Sequence, residues 1–126
     1  MDEFTREEML IGKDALKKLC GAKIALFGLG GVGSYVFEAI LRAGVGSICV
    51  FDFDRVDISN INRQLFALHS TLGEKKTELA KARAKDINPA ATVKAFDMFV
   101  SADNIDDIDF SSFSYVVDAI DTVSSK

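Results

Sequence analysis

The stretch KIALFGLGGVGS, residues Lys23 to Ser34, runs an apolar segment into three spaced glycines, Gly28, Gly30 and Gly33. A strand that breaks into G-x-G-x-x-G at the start of a helix is the usual seat of a pyrophosphate. In that reading Gly28 makes the tight turn, Gly30 lets backbone approach phosphate, and Gly33 lets the helix lie close to the strand. The first helix N-terminus then offers unpaired N–H groups and partial positive charge. A glycine turn that only permits close packing is the bland alternative. These glycines serve NAD, FAD and ATP equally, so the choice rests on polar residues further along.

Lys23–Phe27 is apolar enough to be buried on both faces, as parallel strands are. From Val32 the period becomes helical through Val36, Ala39, Ile40 and Ala43, with Gly44 as a stop. SICVFDFD reads as a second strand, LGEKKTELAKARAKDINP as a second helix, TVKAF as a third strand and YVVDAID as a fourth. Strands alternating with helices predict an α/β fold, a Rossmann-like parallel sheet with flanking helices that stops after the fourth strand. Ahead of it, residues 1–22 read as a helical segment, and 23–126 as the Rossmann-like nucleotide-binding unit, which is expected to be incomplete because the chain stops directly after an apolar strand. Thr5 and Glu8 have capping-box spacing, and Met9, Leu10, Leu16 and Leu19 are expected to form that segment's buried side.

The 126 residues suffice for one domain with a real core. A net charge of −4 argues mildly against a nucleic-acid grip by this segment alone. Cys20 and Cys49 stand singly, with no zinc or disulfide spacing, and both are expected in the core. No apolar run approaches the roughly 20 residues of a membrane span, and the charged N-terminus is unlike a secretory leader. A reducing cytoplasm is the expected compartment.

Asp52 ends the second strand, where an acid receives ribose hydroxyls. Behind it DFDRVDISNINRQLF gathers Asp54, Asn60, Asn62, Arg63 and Gln64. A dehydrogenase has little use for these. A triphosphate does, because Arg gives planar charge-assisted donors to phosphoryl oxygens and the amides add neutral ones. Lys76 shares a helical stripe with Leu72, Leu79, Ala80, Ala84 and Ile87, so it is expected on the buried side, where a lysine needs an anion or a snorkelling route. Lys81 and Lys85 read as solvated charges. Asp118 and Asp121 lie near the end of the fourth strand; either suits Mg²⁺ beside a triphosphate, and either suits a helix cap. Asp121 is the preferred metal ligand. His69 receives no role.

GLGGVGS, DFDRVDISNINRQ, the lysine of GEKK and VVDAIDTV, in this order, resemble the ubiquitin-activating-enzyme superfamily with its bacterial ThiF/MoeB/HesA members. The match runs from Arg6 to the end of the chain. The resemblance implies adenylation of a carboxylate with Mg-ATP. It implies ribose binding by Asp52, phosphate binding by Asn60, Arg63, Gln64 and Lys76, and magnesium at Asp121; Gly31 lies inside the same glycine loop and Asp54 beside the ribose acid. Arg6 matches an arginine that, in the bacterial homodimers, reaches into the partner's site. MLIGKDAL, NINRQ, DINP and DAIDTV are most similar to the tRNA threonylcarbamoyladenosine dehydratases, which activate the threonyl carboxylate of a modified tRNA adenosine before ring closure. Phe66 departs from that pattern, since many of these relatives carry histidine there. The rival expectations are an activating enzyme for a ubiquitin-like or sulfur-carrier protein, a nicotinamide dehydrogenase, and a nucleotide-binding domain without catalysis.

Overall fold

A computed structural model describes residues 2–120. The chain forms α1 (Thr5–Ile11), α2 (Lys13–Cys20), β1 (Lys23–Phe27), α3 (Gly33–Arg42), β2 (Ser47–Asp52), α4 (Lys76–Ile87), β3 (Thr92–Asp97) and β4 (Tyr115–Asp118). The four strands make one parallel sheet in the order β3-β2-β1-β4. The chain therefore walks outward from β1 to β3 and returns to pair β4 with the free side of β1. That reversal leaves a crevice beyond the carboxyl ends of β1 and β4, where ligands of open α/β sheets bind.

The pleat sends alternate residues of β1 to opposite faces. Ile24 and Leu26 join Phe37 and Leu41 of α3 and Ala80 and Ala84 of α4 in the larger core. Ala25 and Phe27 face the other way, onto Cys49, Phe51 and Val100. Phe27, Phe51 and Phe96 stack side by side across three strands, at centroid distances of 4.6 and 4.9 Å. On this second face no α-helix spans residues 98–114; two 3₁₀ turns, Ile105–Asp107 and Phe110–Ser112, cover the sheet instead. The alternating strand-and-helix reading thus holds for the first two crossovers and not for the third.

Helix α3 is tied to α4 by Glu38, whose Oε1 accepts from Nε of Arg83 at 3.0 Å and from its Nη2. The Arg83 guanidinium also lies over the Phe66 ring, 5.6 Å from its centroid. Phe66 itself is buried and meets Phe37 edge to face. Here, then, the position that departs from the family pattern is a core aromatic.

The N-terminal segment is helical, in two helices broken at Gly12 (φ 86°), and differs from expectation in two ways. Thr5 is the first helical residue, not the cap: its Oγ1 accepts from the Asp2 N–H, and the Glu8 N–H bonds to the Phe4 carbonyl at 2.9 Å, so no capping box forms. The Asp2 carboxyl is held below its usual range by the Phe4 N–H and the Thr5 hydroxyl. Met9 and Leu10 are exposed, because α1 buries no residue and the segment docks instead through Phe4 and Leu16 beside Gly44, with Leu19 against the core. Cys49 is in the core as expected, but Cys20 is exposed at the end of α2. The second helix starts at Lys76, and Leu72 lies outside it, partly exposed.

Candidate functional site

The glycine turn is shaped by two contacts that exclude a side chain. Gly28 has φ 95°, and a Cβ there would lie 2.7 Å from the Ala119 carbonyl oxygen. A Cβ on Gly33 would fall on the Gly28 carbonyl oxygen itself. The first glycine thus admits the strand-end turn beneath β4, and the last brings the helix onto that turn. Beside it, Asp52 accepts from the Leu29 N–H through Oδ2 and from the Asp54 N–H through Oδ1, each at 2.7 Å. The acid therefore fastens the end of β2 to the glycine turn.

Between Asp52 and α4 the chain folds back over the carboxyl ends of the strands. Asp57 caps the 3₁₀ turn Ile58–Asn60: its carboxylate accepts from the Ser59 N–H and hydroxyl, and the Asn60 Oδ1 accepts from the Asp57 N–H. The Asp57 carboxyl is held below its ordinary range by those Ser59 donors, the hydroxyl first. Arg63 follows, its Nη1 donating to the Ser59 carbonyl at 3.0 Å and the Asn62 Oδ1 at 2.9 Å. Gln64 is buried. Lys76 opens α4 at only 4% exposure, and its Nζ stands 3.8 Å from Asp54 Oδ2, an ion pair longer than a hydrogen bond.

These pieces line an open cleft of about 190 Å³. Gly28, Gly30, Asp52, Asp54, Asn60, Arg63, Gln64 and Lys76 all line it. Of the residues singled out from sequence, Gly31 and Gly33 shape the turn without lining the cleft. Arg6 is not among the residues lining it: the N-terminal segment docks beside Gly44 through Phe4 and Leu16, and the Arg6 side chain is exposed. Asp121 lies outside the described residues. Asp118 is exposed, and its Oδ1 accepts from the Ile120 N–H at 3.0 Å. Sequence reasoning missed the apolar wall: Phe53, Met98, Phe99, Val100 and Ile120 also line the cleft, with Phe53 and Phe99 meeting edge to face. The available signal was position, since Met98–Val100 directly follow β3 at the same sheet end.

Chemically, the cleft joins a close backbone approach, one fixed acid, two cations and two amides to an apolar wall. That set suits a nucleotide with an extended phosphate tail, the base against the wall and the anionic end toward Arg63 and Lys76. Carboxylates for a divalent cation are sparse: among the described residues no group of three or more His, Cys, Asp and Glu could hold a metal. One or two carboxylates with phosphate oxygens and water still meet the needs of Mg²⁺.

The fold and this cleft define a member of the ThiF family, and the chain belongs to it: the family profile matches residues 4–126. More particularly, the chain is 45% identical over its whole length to the tRNA threonylcarbamoyladenosine dehydratase of Bacillus subtilis, covering 50% of that protein. The Escherichia coli tRNA N6-threonylcarbamoyladenosine dehydratase, solved in complex with ATP, superposes with a TM-score of 0.94 at 40% identity, over 98% of this chain and 51% of that one. The sulfur carrier protein adenylyltransferase of Thermus thermophilus is 30% identical over 100% of this chain and 47% of its own length. The chain thus spans about half the length of the curated relatives it matches. Among the described residues no helix is long and apolar enough to cross a membrane.

Proposed function

We propose that the chain supplies the ATP-binding half of an enzyme that adenylates a carboxylate, and that the carboxylate belongs to the threonylcarbamoyl group of a modified tRNA adenosine. The single observation that carries this is the convergence of Arg63, Gln64 and Lys76 with Gly28 and Gly30 on one cleft at the strand reversal. A dehydrogenase needs no such cations behind its ribose acid. The 45% identity to a tRNA threonylcarbamoyladenosine dehydratase supports the substrate.

In the proposed step a carboxylate oxygen attacks the α-phosphorus of ATP, the bond to the bridging oxygen breaks, and pyrophosphate leaves with its electron pair. The product acyl-adenylate carries a good leaving group on its carbonyl. Negative charge on the phosphoryl oxygens is met by Arg63 and Lys76, fixed before the ligand arrives. Asp52 holds the ribose, and Asn60 and Gln64 give neutral contacts to the tail. Mg²⁺, when bound with the triphosphate, supplies further positive charge, with Asp121 as its proposed carboxylate. A nucleophile on the substrate's own side chain then closes the ring by proximity, so no enzyme thiol is required. Arg6, remote from its own cleft, is proposed to act in the site of a second copy within a homodimer, and the cytoplasm is the proposed compartment.

The test is ATP–pyrophosphate exchange by the full-length protein, with and without tRNA bearing the threonylcarbamoyl modification. Exchange that requires this tRNA is the expected result. Exchange only with a small carrier protein ending in Gly-Gly would transfer the reading to the sulfur-carrier class. ATP binding with no exchange in either case would reduce it to nucleotide binding alone.

A further inference from the structure

Ser34 has no role in the reading above, yet its side chain is fully buried, at 0% exposure, beneath the glycine turn. Its hydroxyl donates to the Gly30 carbonyl at 2.5 Å and accepts from the Leu65 N–H at 3.1 Å. The first bond is the ordinary back-bond of a helical serine to the carbonyl four residues earlier. The second is not, because it reaches a residue 31 positions away. Leu65 follows Arg63 and Gln64 directly, so the hydroxyl ties the segment bearing those side chains to the turn that would cradle phosphate.

A second contact points the same way. A Cβ on Gly31 would lie 3.6 Å from Cγ and Cδ of Arg63, so the arginine stem rests on the bare backbone of the glycine loop. Its guanidinium is already held within its own loop by Ser59 and Asn62. The whole Asn60–Phe66 segment therefore sits on the glycine turn as a preformed unit, with the Ser34 hydroxyl as the polar link. A hydroxyl donates and accepts at once; alanine does neither, and threonine adds a methyl where no space is exposed.

We infer that Ser34 is a positioning residue, which sets the Arg63 guanidinium over the triphosphate by holding Leu65 against Gly30. This rests on the adenylation reading. A donor displaced by even about half an ångström loses much of its electrostatic advantage, so loss of the link is expected to be felt at the phosphate tail and not at the base.

The experiment measures ATP and AMP affinity by calorimetry on the full-length protein, for wild type, Ser34→Ala, Arg63→Ala and the double variant. Ser34→Ala is expected to weaken ATP on the order of fivefold to tenfold, as residues coupled in one network do, while AMP changes little. The double variant is expected to bind ATP no more weakly than Arg63→Ala. The inference is overturned if Ser34→Ala binds ATP like wild type while Arg63→Ala does not. Additive losses in the double variant, or equal losses for ATP and AMP, overturn it as well. If Ser34→Ala does not fold, Ser34→Cys takes its place, with weaker but retained bonds and a smaller ATP-selective loss expected; unchanged ATP affinity there counts against the inference. A wild type that fails to bind ATP sinks the adenylation reading itself, a distinct failure.

Discussion

The Oδ2 atom of Asp52 accepts the Leu29 N–H at 2.7 Å, so the acid proposed to bind ribose also holds the turn that follows β1. Its other oxygen is engaged by the Asp54 N–H. A carboxylate has about four lone-pair sites, and two backbone donors leave room for ribose hydroxyls. Asp52→Ala is therefore expected to lower the stability of the nucleotide-free protein by about 1–3 kcal/mol, the range for an orphaned donor to a charged group, besides weakening ATP. Chemical denaturation without nucleotide checks this. An unchanged midpoint would mean that the turn stands without the acid.

Arg63 and Lys76 are expected to behave differently from Asp52. Arg63 is exposed, and the Asp54 partner of Lys76 is half exposed and can rehydrate. Arg63→Ala and Lys76→Ala should each weaken ATP about tenfold or more, the size of a lost charge-assisted contact, with the fold retained by circular dichroism. Unchanged ATP affinity in both would remove the triphosphate assignment.

Gly31 and Gly33, two positions apart, should diverge sharply. Gly33→Ala puts a methyl onto the Gly28 backbone carbonyl, which cannot rotate away, and is expected to cost about 3 kcal/mol or more through overpacking. Gly31→Ala meets only the flexible Arg63 stem at ordinary contact distance, and its fold should persist. Soluble yield and melting temperature of the two variants, side by side, decide the matter.

The Asp57 cap gives a pH expectation with a definite sign. Its carboxyl is lowered in the folded protein from an ordinary value of 3.8. The cap is thus fully present above that value and is lost only as pH falls through the lower folded value. Asp57→Ala should speed amide exchange across residues 58–64 at neutral pH. The wild-type advantage should be constant from about pH 7 to 5 and shrink only in stronger acid. A change near neutrality would point to another group.

Much of the site was legible because its signals are local. The glycine spacing gives the turn, and Asp52, Asn60, Arg63 and Gln64 follow within one excursion of the chain. Lys76 was legible as buried because its stripe partners Ala80 and Ala84 are buried too. What was not legible depends on distant pairs. The Ser34–Leu65 bond and the apolar wall after β3 arise only when the sheet brings separated segments together. The apolar side assigned to Met9 and Leu10 failed for the opposite reason: a periodic pattern was present, but Gly12 breaks the helix and Phe4 takes over the docking. Cys20 was misplaced because composition says nothing about which helix end faces water.

The return of β4 to the free side of β1 has a consequence for synthesis on the ribosome. Lys23 bonds to Ser114 across a separation of 91 residues, and the turn at Gly28 closes against Ala119. At roughly 5–20 residues per second, β1 waits about 5–18 s for that neighbour to be made. Throughout that interval β1 offers an open edge to any other nascent chain, and the cleft lacks one wall. A ligand held against Ala119 and Ile120 can therefore be gripped only after β4 has paired with β1.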